Sequence, residues 1–268
     1  LFTPVYHAFA RVIKAAGRSV TELPMVIRDG RYTLDFDAYE ALLTGRETML
    51  VFCSPHNPGG RVWSPAELAE VAAFAAKHDL ILVSDEIHHD LVMPGQTHTI
   101  MTKAAPEALD RIVMMSATTK TFNIAGSHSG NVIIPDPMLR EKFAARMAGL
   151  GISANSFGLV MATAAYSPEG AAWVDDLLTY LDGNRKLFDD GINAIPGLTS
   201  MPLEATYLAW VDFSGTGMAK AEFIDRVQGR ARIAASHGDT FGPGGASYPR
   251  VNIVAFCKPC VNFLLFVF

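Results

Sequence analysis

Short apolar runs alternate with longer mixed stretches through the first half of the chain. Met49–Phe52, Leu80–Val83, Ile112–Ser116 and Gly130–Ile134 are brief, mostly apolar and bounded by turn-forming residues, the pattern of buried strands. Between the first two, Ser64-Pro65-Ala66-Glu67 puts Ser at an N-cap, Pro at the first helical position and Glu two residues further on. That signature predicts a helix running to about His78. Residues 5–16 read as a short helix after Pro4, Val20–Val26 as a strand, and Arg31–Glu47 as a turn and helix capped by Asp35 or Asp37. Pro106–Leu109 starts another short helix. Strand and helix alternate, which predicts an α/β domain whose sheet is mostly parallel and covered by helices on both faces.

From Pro137 the pattern turns helical. Met138–Leu150 reads as amphipathic, Phe157–Ala165 as an apolar and therefore packed helix, and Ala171–Ala194 as a long helix linking two domains. A strand at Tyr207–Asp212, a helix at Ala219–Gln228, a short strand at Arg232–Ala235, a glycine-rich loop at His237–Ser247 and a last strand at Arg250–Ile253 complete a smaller C-terminal α+β domain. The expected division is residues 1–175 and 176–268.

Composition narrows the class. Of the 268 residues 50% are hydrophobic and 18% charged, which supports a substantial core and argues against disorder. The net charge is −5 with no basic run, so nucleic acid is a poor partner. No apolar run approaches the roughly 20 residues of a membrane helix, and the front lacks a signal peptide's charged start. Three cysteines fit a reducing compartment, and a cytoplasmic location is the expectation. Cys257-Lys258-Pro259-Cys260 is a lone CxxC, weak grounds for zinc or redox work. The start at Leu1 and the uncharged tail Val261–Phe268 read as a fragment at the front and an altered or truncated end at the back.

In a parallel sheet the chemistry gathers at the carboxyl ends of the strands. Asn57, Asp85 and Lys120 each follow a predicted strand. A lone lysine is more often a solvated surface residue. Beside a buried strand it loses hydration, and its amine becomes a usable nucleophile toward a carbonyl. An unpaired carboxylate at Asp85 would be costly, so something cationic should face it. Either Lys120 is that partner in a plain ion pair, or a protonated ring nitrogen of a cofactor faces Asp85 while Lys120 forms an imine with the same cofactor. His88, His89, Asp85, Glu86 and Asp90 could suggest a metal, but neighbours in extended chain point to opposite faces and chelate poorly, so no metal is expected.

Five motifs in order carry a resemblance: Thr3-Pro4-Val5-Tyr6, Ser54-Pro55-His56-Asn57-Pro58-Gly59-Gly60-Arg61-Val62-Trp63, Ser84-Asp85-Glu86-Ile87-His88, Ser116-Ala117-Thr118-Thr119-Lys120-Thr121-Phe122-Asn123-Ile124-Ala125-Gly126, and Tyr248-Pro249-Arg250-Val251-Asn252. Over residues 1 to about 256 the chain resembles the fold-type I pyridoxal-phosphate enzymes, and among them the cystathionine β-lyase branch of the class I/II aminotransferase family. The resemblance implies a PLP-dependent transferase-like large domain with a smaller C-terminal domain. It also implies a homodimer and pyridoxal 5'-phosphate as cofactor.

The implied roles follow the motifs. Lys120 would form the imine and move protons at Cα, and Asp85 would keep the pyridine nitrogen protonated. Asn57 would bond the ring's phenolic oxygen, His88 would lie near that oxygen, and Tyr6 would stack on the ring. Ser116, Thr118 and Thr119 are hydroxyls that could reach the phosphate. Arg250 would grip the substrate carboxylate with a bidentate fork. Two departures stand out. His128 occupies a position where many relatives carry a phosphate-binding arginine. Roughly a hundred family residues before the Tyr6 motif, with a helix N-terminus that holds phosphate, are absent, so the fold is read as N-terminally incomplete. The implied reaction is β-cleavage of cystathionine or a cysteine S-conjugate to thiol, pyruvate and ammonia. The alternatives are a class I/II aminotransferase, which shares the early steps, and a non-catalytic fragment.

Overall fold

The computed structural model describes residues 1–255. The Cys257–Cys260 pair and the apolar tail 261–268 lie outside the described residues. The chain opens with β1 (Phe2–Thr3), α1 (Ala8–Ala15) and β2 (Leu23–Pro24), which pairs in parallel with β1. A hairpin follows, β3 (Val26–Arg28) with β4 (Arg31–Thr33), and then a short helix α2 (Phe36–Glu40). The sequence pattern had merged these pieces into one strand and one long helix. Glycine at positive φ (Gly30, 73°) turns the hairpin. Asp35 caps α2 by accepting a bond from the Ala38 amide, which settles the choice between the two aspartates.

Next come β5 (Met49–Cys53), α3 (Pro65–Lys77), β6 (Ile81–Asp85), α4 (Met101–Ala104), β7 (Ile112–Ser116) and β8 (Asn131–Ile133). They form one sheet in the order β5-β6-β7-β8, with the first three strands parallel and β8 antiparallel. The mostly parallel α/β sheet is therefore present, and β6 extends two residues further than expected, so Asp85 is its last residue. Helix α3 starts as predicted: Ser64 Oγ accepts from the Glu67 amide at 3.3 Å while Glu67 Oε2 accepts from the Ser64 amide at 2.9 Å. Its Leu68, Val71, Ala72 and Ala75, at helical spacing, are fully buried with Leu50, Phe52, Leu82 and Ile112 of the strands. Each such leucine or isoleucine contributes about 2 kcal/mol of burial free energy.

The second half is α5 (Pro137–Gly149), α6 (Ser156–Ala165), the 26-residue α7 (Pro168–Asn193), β9 (Thr199–Ser200), β10 (Leu208–Asp212), α8 (Lys220–Ile224) and β11 (Arg250–Asn252). Strands β11, β10 and β9 make an antiparallel sheet. Leu181, Phe188 and Ile192 of α7 pack on Ala209 and Val211 of β10 with Phe223, Val227 and Ile253 as a second core. Three expectations fail here. Helix α5, read as amphipathic, buries none of its residues, and in α6 Phe157 is 75% and Val160 69% exposed, so α6 is not packed as its apolar content suggested. Residues 232–235 form no strand; only Ser236 bridges to Arg250. Arg232 sits at φ 53°, a left-handed conformation that ends extended pairing.

One polar joint ties the halves together. Glu204 is buried and accepts from Arg31 and, at 2.9 Å, from the Val62 amide. The Gly60 carbonyl accepts from the amides of both Glu204 and Ala205. Gly60 has φ 62°, and a Cβ there would fall 2.3 Å from Leu203 Cδ1, so both the backbone conformation and the close approach favour glycine. Glu204→Ala leaves the Val62 amide and the Arg31 guanidinium without their acceptor; we expect a loss of about 2 kcal/mol in urea unfolding. Unchanged stability would show that the joint is not needed.

Candidate active site

Register sets the position of Asp85. Cys53 lies opposite it on β5 and Met115 on β7. The ladder continues past the strand ends: the Ser54 amide donates to the Asp85 carbonyl at 2.9 Å and the Glu86 amide to the Met115 carbonyl at 2.8 Å. Asp85 is thus held at the carboxyl end of the middle strand, 5% exposed, and accepts one hydrogen bond, from the Ile87 amide at 3.2 Å. Burial pushes its pKa up from 3.8 to about 6, against the pull of that amide and of the Lys120 charge. The same burial pushes the Cys53 thiol up, and the Asp85 charge adds to it.

The loop after β5 carries Asn57, 5% exposed. His56 fixes this loop. Its Nδ1 accepts from the Gly59 amide at 3.2 Å, so its Nε2 must donate, and it does so to the Pro4 carbonyl at 3.0 Å. Burial pushes the His56 pKa down to about 3 and keeps the ring neutral. The segment bearing Tyr6 is therefore bonded directly to the loop bearing Asn57. Tyr6 itself is half-buried, with His7 and Phe9 against its ring edges.

Lys120 lies in the turn after β7, half-buried. Among the described residues it makes no ion pair and no side-chain hydrogen bond, so the plain Lys120–Asp85 ion pair is not formed. Its charge nevertheless acts on Asp85 and on His88. His88 is 1% exposed, and among the described residues neither ring nitrogen has a partner. Burial first, then the Lys120 and Arg250 charges, push its pKa down to about 3. The Tyr207 ring stands nearly perpendicular to it, with ring centroids 6.1 Å apart.

Arg250, at the start of β11, reaches across to the first half. One guanidinium nitrogen donates to Asn57 Oδ1 at 3.0 Å and the other to Ser236 Oγ at 3.2 Å, with the Phe241 ring 4.8 Å beneath. No carboxylate pairs with it among the described residues. Burial lowers its pKa, while Tyr6 and Tyr207 act to raise it. Asp85, His88, Lys120, Asn57, Tyr6 and Arg250 are thus one electrostatic neighbourhood.

The hydroxyl group separates. Thr118 is 3% exposed and Thr119 half-buried in the lysine turn. Ser116 Oγ instead accepts from Asn131 Nδ2 at 3.5 Å and interacts with Tyr166. His128 is exposed at φ 46°. Sequence reasoning missed Tyr207, Ser236 and Phe241; they reach the site only through the fold of the second half, and no local spacing announces them.

The family model for class I and II aminotransferases matches residues 1–259. The chain belongs to the class I and II aminotransferase family. It is 35% identical to cystathionine beta-lyase PatB of Bacillus subtilis, over 93% of this chain and 65% of that protein. Cystalysin from Treponema denticola, whose crystal structure contains pyridoxal 5'-phosphate, superposes with a TM-score of 0.91 at 35% identity, covering 99% of this chain and 68% of that one. The PLP-bound C–S lyase of Staphylococcus hominis gives 0.88 at 30% identity, covering 99% and 65%. The chain therefore spans about two thirds of the length of these relatives.

Asp85 should weaken the fold that holds it. A carboxyl moved from 3.8 to about 6 is harmless below about pH 3, where it is protonated in both states. As pH rises from 3.8 to about 6 the folded state loses about 3 kcal/mol relative to the unfolded chain. Asp85→Asn does not titrate. In urea unfolding its advantage over the wild type should grow from near zero at about pH 3 to about 3 kcal/mol at about pH 8. A constant difference would mean that Asp85 is not desolvated as described.

Proposed function

We propose that this chain holds pyridoxal 5'-phosphate and belongs to a carbon–sulfur β-lyase that cleaves cystathionine or a related cysteine S-conjugate to thiol, pyruvate and ammonia. The observation that carries the cofactor reading is the set of unsatisfied groups at one strand end. Among the described residues, a buried carboxylate lacks a paired cation, a buried imidazole lacks partners on both nitrogens, and a half-buried guanidinium lacks a carboxylate. A ring with a protonated nitrogen, carrying a bound amino acid's carboxylate nearby, fits all three. When bound, the group supplies an electron sink for bond cleavage at the substrate Cα.

The chain's own residues then have definite tasks. Lys120 Nζ would be the attachment point and would serve as the base toward the substrate Cα proton. Asp85 would face the ring nitrogen and keep it protonated, Asn57 would bond the phenolic oxygen, and His88 would lie near it. Asn57 also steadies Arg250, which orients the substrate by its carboxylate. Tyr6 covers the ring face, and Thr118 and Thr119 are the hydroxyls still free for the phosphate, since Ser116 is engaged elsewhere. Residues 1–175 would form the cofactor domain and 176–268 the domain that brings Arg250 to it, a division supported by the separate core around α7 and β10.

The lyase reading rests on the similarity to cystathionine beta-lyase PatB and to the C–S lyase of Staphylococcus hominis. A transaminase is the second reading, favoured by the family model and by 24% identity to an aspartate aminotransferase of Pyrococcus abyssi. The exposed apolar residues Phe157, Leu159 and Val160 of α6 support a homodimer. Among the described residues no helix is long and apolar enough to cross a membrane, and a cytoplasmic location accords with the cysteine content.

Two assays test the reading. Borohydride treatment after addition of pyridoxal phosphate should fix the cofactor on Lys120 by peptide mapping, and Lys120→Ala should abolish that label. Cystathionine should then yield pyruvate and free thiol without an added keto acid. Product formation only with a keto acid would move the assignment to a transaminase, and no label at Lys120 would remove the cofactor reading altogether. Arg250→Lys loses the planar fork and should raise KM at least about ten-fold with a smaller change in kcat.

A further inference from the structure

The turn that carries Lys120 is closed mainly on itself. The Phe122 amide donates to the Thr118 carbonyl at 3.0 Å and the Ile124 amide to the Thr119 carbonyl at 3.1 Å. Among the described residues, one hydrogen bond leaves residues 117–123 for another segment. Thr121, the residue after the lysine and 2% exposed, donates its hydroxyl to Asp90 Oδ2 at 3.0 Å.

Asp90 belongs to the turn that follows Asp85, and that turn is rigidly held. The buried Glu86 carboxylate accepts from Ser84 Oγ, from the Met101 amide and from His98 Nε2, each at 2.9 Å. His89 joins in through both ring nitrogens. Nδ1 lies 2.7 Å from the Glu86 carbonyl and Nε2 3.1 Å from Asp90 Oδ1. A carbonyl can only accept, so Nδ1 donates to it, while Nε2 faces the Asp90 carboxylate in a close contact. The titration directions agree. Burial lowers the His89 pKa, but the Asp90 and Glu86 contacts outweigh it. Burial raises that of Asp90, but the His89, Thr121 and His98 contacts outweigh it. Tyr166 also faces Asp90.

We propose that Asp90 is a positioning residue for Lys120. Through the Thr121 hydroxyl it fixes the turn bearing the amine against the turn bearing Asp85 and His88. This inference rests on the reading of Lys120 as the cofactor attachment point. Asp90 touches neither substrate nor cofactor in this scheme; it limits the orientations open to the lysine backbone, and small misplacements of a reacting group are costly in rate.

Thr121→Val keeps the shape and removes the hydroxyl, Thr121→Ser restores it, and Asp90→Asn keeps shape and removes charge. The purified chain is first examined by amide hydrogen exchange before any cofactor is added. In Thr121→Val and Asp90→Asn, exchange at Phe122 and Ile124 should rise about ten-fold, the worth of one hydrogen bond to a charged group. Exchange at Glu86, in the adjoining ladder, should stay unchanged, and Thr121→Ser should match the wild type. Pyridoxal phosphate is then added and trapped with borohydride. The rate of labelling at Lys120 should fall about ten-fold in Thr121→Val and Asp90→Asn and recover in Thr121→Ser. Wild-type exchange in Thr121→Val would overturn the latch. Faster exchange with unchanged labelling would make it a structural bond only and overturn the positioning role. A wild-type chain that takes no label on Lys120 counts against the cofactor reading, while the exchange comparison still decides whether the latch exists.

Discussion

Everything at this site depends on one uncomfortable carboxylate. Asp85 ends the middle strand of a sheet, flanked by Cys53 and Met115 in register, where water cannot solvate its charge. A protein selected only for stability would place an apolar residue there. The surrounding backbone does little to relieve it: one amide donates to the carboxylate, and the nearest mobile cation, Lys120, influences it without closing an ion pair. The free energy lost in that arrangement is available to any cation that docks at the strand end. Stability is set against function here in a single residue.

The loops around Asp85 are anchored by groups that carry no chemistry themselves. His56 is buried, neutral and bonded at both nitrogens, so it joins the Pro4 segment to the Asn57 loop as a fixed strut rather than an acid or base. Gly60 permits that loop to press against residues 203–205, and Glu204 locks the contact from the other side. Because Arg250 bonds Asn57, the second half of the chain reports directly on the geometry of the first. Substitutions at such struts should act on the orientation of the active groups rather than on their identity.

Much of this was legible in the sequence, because local patterns specify it. The apolar runs at residues 49–52, 80–83 and 112–116 fit only buried strands, and Ser64 to Glu67 states a helix start in four residues. Strand-end placement alone picked out Asn57, Asp85 and Lys120. What stayed hidden depends on contacts far apart in the chain. The hairpin at residues 26–33 was split between a strand ending at Val26 and a turn and helix starting at Arg31, and the strand expected at 232–235 failed because Arg232 takes a left-handed conformation. Apolar content suggested that α6 would be packed, yet composition says only that a face favours burial, not that this chain supplies the cover. Ser236 and Phe241, which hold Arg250, have no signature at all.

The separation of charge in the pocket bears on what it can accept. Asp85 is perturbed by Lys120 and Glu86, and Arg250 by Tyr6 and Tyr207; neither acts as the other's main partner. An anion and a cation kept apart in one cleft are each left with an unmet demand, since the low dielectric that would strengthen their attraction also penalises each alone. A ligand with a positive and a negative group at matching positions meets both demands at once, whereas a neutral ligand or one of single sign meets at most one. Neutral His88 in the same neighbourhood adds an imidazole that can donate from one nitrogen and accept at the other without adding charge. The requirement is thus for a bound group that is cationic toward Asp85 and anionic toward Arg250. That electrostatic outline, rather than any single side chain, makes an amino acid joined to a protonated aromatic ring the best-fitting occupant.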